Sequence, residues 1–187
     1  MDVTDVAVLA RARQGDSEAF RTLVERHSRR AFQLAYRMTG NEQDAEDVVQ
    51  ESFIRAYRQI GRFEARAHFS TWLHRIVANC SIDFIRSRRT RQDHASTDDL
   101  ALTEQPHTDH PNPERLAASA QIERSVAAAM AELSPLERAA FTLRHYEGRS
   151  IAEIGKTLGL GTSATKHSVF RAVRKLRAAL EPLRGES

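Results

Sequence analysis

Hydrophobic residues recur every three to four positions along most of the chain, and convincing alternation of polar and apolar residues is absent. Spacing of this kind predicts α-helices, whereas half-buried strands require alternation. Glycine, proline and helix-capping residues divide the pattern into successive segments. We therefore expect an all-α protein.

In the first half of the chain, the divisions between helices are clear. Asp16 is placed to start a helix that stops at Gly40. A third helix is expected over roughly 43–60 and a loop over 61–68, after which Ser70 is expected to cap a long fourth helix. One side of that helix is apolar and is expected to face the core: Trp72, Leu73, Ile76, Val77, Cys80 and Phe84.

The composition changes after the fourth helix. Residues 92–113 contain no lysine or arginine, but five acidic residues and three prolines. Such a segment is typical of a flexible acidic linker. We therefore expect two small helical domains, 1–91 and 114–187, joined by the linker 92–113.

The second half has strong helix-start signals. A helix is expected from 114 to about 133. Two capping boxes then mark helix starts: Ser134 with Glu137, and Ser150 with Glu153. The helix that follows the first box should end at Gly148, and the shorter one after the second at Gly159.

The last predicted helix, in residues 161–176, has two different faces. Its core side is predicted to consist of Thr165, Val169, Ala172, Val173 and Leu176, and the opposite side of Lys166, His167, Phe170, Arg171 and Arg174. A short helix, a glycine turn and a second helix with a cationic face predict a helix-turn-helix whose second helix enters the major groove of DNA.

The side chains of this face suit DNA. Lys166 and Arg171 can donate to guanine or phosphate, and Phe170 can contact a thymine methyl group. Thr162 and Ser163, at the helix start, suit a phosphate oxygen. A solvated cationic face on a packing helix is the alternative, but it leaves Phe170 without a core to join.

Two further surfaces are predicted in the first domain. Asp47, Gln50 and Glu51 share one strip of the third helix, which suits either a basic protein partner or solvent. The residues predicted to face the core from this helix are Val49, Phe53, Ala56 and Tyr57. The fourth helix has a row opposite its apolar side, formed by Arg75, Asn79, Ile82, Arg86 and Arg89, and the preceding loop adds Arg62, Phe63 and Arg66. This row can follow the phosphates of a single strand, with an unstacked base near Asn79.

Composition supports this interpretation. The 187 residues carry a formal net charge of +3, with 41% hydrophobic residues, which suits a globular protein with an anionic partner where the cations cluster. The single cysteine, Cys80, cannot form an internal disulfide and is expected to pack in the core. No stretch reaches the length of a membrane span. We expect a reducing, cytoplasmic setting.

Three segments resemble a known family: "DAEDVVQESFIRAYRQIGRF", "HFSTWLHRIVANCSIDFIRSRR" and "LSPLERAAFTLRHYEGRSIAEIGKTLGLGTSATKHSVFRAVRKL". In this order, around an acidic linker, they resemble a bacterial extracytoplasmic-function (ECF, group 4) sigma factor. The resemblance implies sigma region 2, a linker and sigma region 4. It also implies binding to core RNA polymerase and promoter DNA, without a cofactor or metal and without enzymatic activity. Control by an anti-sigma factor is a further implication.

The resemblance also implies roles for residues. Core polymerase would be bound by Asp47, Gln50 and Glu51. The minus-ten element would be bound by Arg62, Phe63, Arg66, Arg75, Asn79, Arg86 and Arg89. The minus-thirty-five element would be bound by Thr162, Ser163, Lys166, His167, Phe170, Arg171 and Arg174. One departure from the family pattern is Gly155, where alanine is usual; glycine lowers helix propensity but permits close packing.

Two other functions are alternatives to this interpretation. A transcriptional regulator that acts without core polymerase could carry the same C-terminal helix-turn-helix, although residues 1–91 resemble no receiver or ligand domain. An enzyme would have to use groups in or beside the linker as metal or acid–base groups: His94, His107, His110, Asp98, Asp99 and Asp109. A flexible tract rich in proline offers these groups no preorganised scaffold.

Overall fold

The computed structural model of the protein describes residues 3–63, 68–94 and 113–181. Every regular element within these ranges is helical. The chain divides into two compact units, Met1–Arg88 and Arg89–Ser187. The predictions of an all-α fold and of two small helical domains are therefore confirmed.

Four α-helices and one short turn of 3₁₀ helix make up the first part of the chain: α1 Val3–Arg13, α2 Ser17–Thr39, α3 Glu42–Gln59, the 3₁₀ turn Ile60–Arg62, and α4 Phe69–His94. The helix starts follow from local hydrogen bonds. The Asp16 side chain accepts from the Ala19 amide at 3.0 Å, and the Asn41 side chain accepts from the Asp44 amide at 2.9 Å. Both satisfy amides that the first helical turn leaves without a partner.

Both ends of α4 differ from the prediction. The helix begins at Phe69, and the Trp72 amide donates to the His68 carbonyl at 3.1 Å, so Ser70 lies inside the helix and does not cap it. At the other end α4 continues to His94, three residues into the predicted linker. The linker was predicted from its composition, which depends mainly on proline and acidic residues further along the chain. A polar composition alone does not end a helix.

The core of the first unit lies among its long helices. Leu23, Leu34 and Met38 of α2 are fully buried, as is Val77 of α4. The buried residues of α2 and α3 recur at helical spacing, which explains why one face of each helix packs inward. Ile82 is also buried, so its predicted place in the exposed row of α4 is wrong.

The second part of the chain contains α5 Pro113–Ala131, α6 Pro135–Phe141, a π-helical stretch Thr142–Tyr146, α7 Ile151–Leu158 and α8 Thr162–Leu180. Both predicted capping boxes are present, at the starts of α6 and α7. The widening of the helix over Thr142–Tyr146 was not predicted. Gly148 follows it with a left-handed φ of 64°, where glycine carries no steric penalty.

An apolar cluster holds α5 and α8 together. It contains Ala129, Met130 and Leu133 with Ala172 and Leu176. Thr165 and Ser168 are buried on the same side of α8. The predicted core side of α8 is therefore correct at Thr165, Ala172 and Leu176, and the other face of the helix is left exposed.

Candidate nucleic-acid and protein-binding surfaces

A tight glycine turn joins α7 to α8. Gly159 adopts a left-handed conformation with φ of 66°, and the Leu160 amide donates to the Gly155 carbonyl at 2.9 Å. A Cβ atom on Gly155 would lie 2.8 Å from the Leu160 carbonyl oxygen and 3.0 Å from Thr165 Oγ1. Glycine at this position therefore permits the close approach of helix and turn, as the sequence predicts.

The outer face of α8 is the candidate DNA-binding surface. All seven predicted residues are exposed there: Thr162, Ser163, Lys166, His167, Phe170, Arg171 and Arg174. Phe170 is the most exposed large hydrophobic residue in the described part of the chain, with 62% of its surface accessible. The first turn of α8 contains no acidic residue, and Gly161 caps it without a side chain. Its amides are therefore available to a phosphate group.

Glu137 lies behind this face and forms contacts that the sequence did not predict. Its Oε1 forms an ion pair with Arg171, whose Nε lies 3.1 Å away, and its Oε2 accepts a hydrogen bond from Lys175 Nζ at 2.8 Å. Burial opposes ionisation of Glu137, but the hydrogen bonds from Lys175 and Ser134 outweigh burial and hold its pKa below the usual range. Arg171 is thus held by the protein as well as exposed.

The predicted minus-ten surface is only partly assembled in the described residues. Arg62, Arg75, Asn79 and Arg86 are exposed, whereas Arg89 is half-buried. Arg66 lies outside the described residues.

Phe63 is placed differently from the expectation of an accessible loop residue. It is buried, with its ring centroid 5.0 Å from that of Trp72 and 6.2 Å from that of Phe69. Its ring packs against those of Phe69 and Trp72 and does not face solvent. Ile82 faces inward because it follows buried Ala78 by one helical turn.

The acidic strip of α3 is exposed at Asp47 and Gln50 and half-buried at Glu51. Glu51 accepts from Arg55 Nε at 2.7 Å, and Arg55 also donates to Asp83 of α4 at 3.0 Å. These hydrogen bonds, first from Glu51 and then from Asp83, raise the pKa of Arg55. The Glu51 carboxylate is therefore held in place, while Asp47 points to solvent.

An apolar groove between α2 and α3 borders this strip. Gln50 lies in its lining, which also includes Phe20, Phe32, Val49, Ile54 and Tyr57. Tyr57 was predicted to face the core but is 48% exposed, and its ring contacts that of Phe20 at 5.0 Å between centroids. The strip and the groove together form a mixed polar and apolar surface.

The remaining candidates do not form a further site among the described residues. Cys80 is buried, as predicted, and burial raises the pKa of its thiol. The residues on which an enzyme interpretation depends lie outside the described residues, except for the backbone of His94. In the described part of the chain, no helix has both the length and the apolar character that crossing a membrane requires.

The fold and these surfaces define a two-unit helical protein with a C-terminal helix-turn-helix. The family model for Sigma-70 region 2 matches residues 23–91, and the model for Sigma-70, region 4 matches residues 123–176. The ECF RNA polymerase sigma factor SigW of Bacillus subtilis (strain 168) is 32% identical over 94% of this chain and 96% of its own length.

Solved structures agree with these matches. CnrH, in a complex with the cytosolic domain of CnrY, is 27% identical with a TM-score of 0.64 and covers 98% of this chain and 99% of its own. The sigma factor RpoE from Bartonella quintana, in a complex with the anti-sigma factor NepR, shares the fold with a TM-score of 0.65 at 21% identity. That match covers 87% of this chain and 96% of RpoE. The chain belongs to the ECF sigma factors of RNA polymerase.

Proposed function

We propose that this sigma factor binds core RNA polymerase, directs it to specific promoters and helps to open them. One observation carries the proposal. An exposed acidic strip lies in the region 2 match, and an exposed cationic helix face lies in the region 4 match of the same chain. A regulator that acts alone on DNA has no need of the first surface.

The core polymerase is proposed to bind the strip Asp47, Gln50 and Glu51. Asp47 offers an exposed charge that a basic partner can pair, and Gln50 links the strip to the apolar groove. Partial burial of such a mixed surface supplies hydrophobic contact as well as electrostatic steering. Because Arg55 already holds Glu51, we expect Asp47 to be the more sensitive of the two carboxylates.

The minus-ten element is proposed to bind along α4. Asn79 lies one turn from Arg75 on the exposed side of the helix. An amide can hydrogen-bond the edge of an unstacked base while guanidinium groups contact the phosphates on either side. Binding of the flipped base stabilises the single-stranded DNA, and promoter opening is therefore favoured.

The minus-thirty-five element is proposed to bind α8 in the major groove. Lys166, His167 and Arg171 offer donors to base edges or phosphates, and Phe170 offers an apolar contact. Thr162 and Ser163 lie beside the available amides of the first turn and suit a phosphate.

The finer assignments are also proposals. Region 2 is assigned to 1–91, the linker to 92–113 and region 4 to 114–187. We place the protein in the cytoplasm and in group 4 of the sigma factors. Control by an anti-sigma factor is supported by the complex of RpoE with NepR.

Transcription by bacterial core enzyme tests the proposal. Run-off assays on a randomised promoter library should yield a two-element consensus that depends on this chain. Asp47→Lys should weaken assembly with core at least tenfold, since a rim charge on the proposed interface becomes repulsive. The matched control is Glu25→Lys, which makes the same charge change at an exposed residue of α2 that forms an ion pair with exposed Arg21.

The outcomes separate the candidate functions. Sequence-specific DNA binding without any association with core would favour a regulator that acts alone. Equal assembly by Asp47→Lys and wild type would remove the α3 strip from the core interface.

A further inference from the structure

The Glu137 carboxylate joins the start of α6 to the DNA-facing helix α8. Only 5% of its side chain is exposed. Its Oε2 accepts from the Ser134 amide at 2.9 Å and from Lys175 Nζ at 2.8 Å, and its Oε1 forms an ion pair with Arg171, whose Nε lies 3.1 Å away. One buried carboxylate therefore accepts two hydrogen bonds and also pairs with a second cation, and both cations come from the exposed side of α8.

Capping α6 does not require this arrangement. Glu153 fills the equivalent place in the capping box of α7, where its side chain is 54% exposed and its charged partner is Arg149, four residues earlier, at 3.5 Å. A carboxylate can thus complete the cap from the surface. Burial of Glu137 is costly unless its charge is paired, and α8 supplies that pairing.

The contact through Nε determines how Arg171 can meet DNA. An ion pair made at Nε does not use the two terminal nitrogens, which can donate to another acceptor, and the Arg171 side chain is 53% exposed. Two parallel donors at the end of the fork match the O6 and N7 atoms of guanine. Holding the stem of the side chain before binding reduces the entropy lost when the contact forms.

We propose that Glu137 is a positioning residue for promoter recognition, which fixes Arg171 so that its terminal nitrogens read one base pair of the upstream element. The inference rests on the proposed function, because it assigns a specificity determinant to the same DNA-binding face. Lys175 occupies the second oxygen and keeps the carboxylate ionised. Glu137 itself does not contact DNA.

Base preference in the complete holoenzyme tests this role. Full-length wild type, Glu137→Gln, Arg171→Ala and the double variant are each assembled with core enzyme and bound to duplexes randomised over the upstream element. Glu137→Gln should lower the preference at the base pair lost in Arg171→Ala by roughly fivefold and leave other positions unchanged. In the Arg171→Ala background it should add no further loss.

Glu153→Gln is the matched control, since it weakens a cap without touching α8, and it should keep the wild-type preference. An unchanged preference in Glu137→Gln would overturn the inference, as would an equal loss at every position. A wild-type holoenzyme without any upstream preference would instead overturn the proposed function, and this inference with it.

A measurement on the wild-type chain covers the case in which Glu137→Gln does not fold. Because of its ion pair with Glu137, the Nε–H bond of Arg171 should have a higher order parameter than that of Arg174, which is exposed on the same helix. Nuclear magnetic resonance of arginine side chains in the full-length protein reports both order parameters. Equal order parameters would mean that Glu137 does not hold Arg171, and the inference would fail.

Discussion

Gly155→Ala tests whether the turn between α7 and α8 is as closely packed as the structure indicates. The added methyl group would lie 2.8 Å from the Leu160 carbonyl oxygen and 3.0 Å from Thr165 Oγ1. The first of these atoms belongs to the backbone of the turn, so rotation of a side chain cannot relieve the contact. The turn itself must move, together with the hydrogen bond from the Leu160 amide to the Gly155 carbonyl.

Two opposing terms determine the size of the effect. Replacing glycine by alanine inside a helix stabilises it by about 1 kcal/mol. Overpacking a close contact costs about 1–3 kcal/mol, and weakening the Leu160 hydrogen bond costs up to about 1 kcal/mol more. We therefore expect a net loss of about 1 kcal/mol in the free energy of opening the helix-turn-helix.

Hydrogen exchange of the full-length chain, followed by mass spectrometry over residues 151–176, measures this opening directly. A global melting curve is less suitable because two units need not unfold in one transition. Lys156 is the neighbouring exposed position in α7, so comparison of Lys156→Ala with Lys156→Gly measures the propensity term where packing is unchanged. The steric cost is the difference between this term and the result for Gly155→Ala.

The opposite result would be greater protection of the amides in Gly155→Ala than in wild type, by the same amount as in Lys156→Ala over Lys156→Gly. That result would refute the steric argument. It would mean that the turn accepts a methyl group without strain. The glycine would then be a departure from the family pattern without a structural reason.

Three further outcomes are expected from the structure. Asn79→Ala should impair promoter opening at least tenfold more than initial binding, and equal activity on duplex and pre-melted promoters would contradict the base pocket. Thr142→Val should stabilise the protein by about 1 kcal/mol in hydrogen exchange, because the buried Thr142 hydroxyl has no hydrogen-bond partner among the described residues. Thr165→Val should not stabilise it, since that hydroxyl donates to the Gly161 carbonyl. The lowered pKa of Glu137 stabilises the fold above its ordinary pKa of about 4.3. This stabilisation is lost as pH falls through the lowered pKa, so Glu137→Gln should lose less stability than wild type as pH falls below the ordinary pKa of glutamate.

Much of the second unit could be predicted from local sequence. The capping boxes at Ser134 and Ser150 and the glycine turn at Gly159 depend on atoms within a few residues of one another. The same holds for the two faces of α8, which follow from helical spacing. Ser70 shows the limit, because a good capping residue lies inside a helix that starts earlier.

Exposure was harder to predict where a residue lies at the edge of an apolar face. Ile82 was expected to be exposed but is buried, whereas Tyr57 was expected to be buried but is exposed. Helical spacing predicts the direction in which a side chain points. It does not predict how far the neighbouring helices extend over the edge of an apolar face, and this coverage decides which edge residues are buried. Phe63 is buried for a related reason, since the rings of Phe69 and Trp72 come close to it.

The sequence by itself determined the helical fold, the two capping boxes, the glycine turn and the two faces of α8, because each depends on contacts within one or two helical turns. The tertiary structure alone decided that Glu137, read in the sequence as a cap, also holds Arg171 and Lys175, the latter 38 residues away. Pairs so distant in the chain meet only when the packing of α6 against α8 brings a buried carboxylate beside two cations. A local sequence pattern cannot predict a contact of this kind.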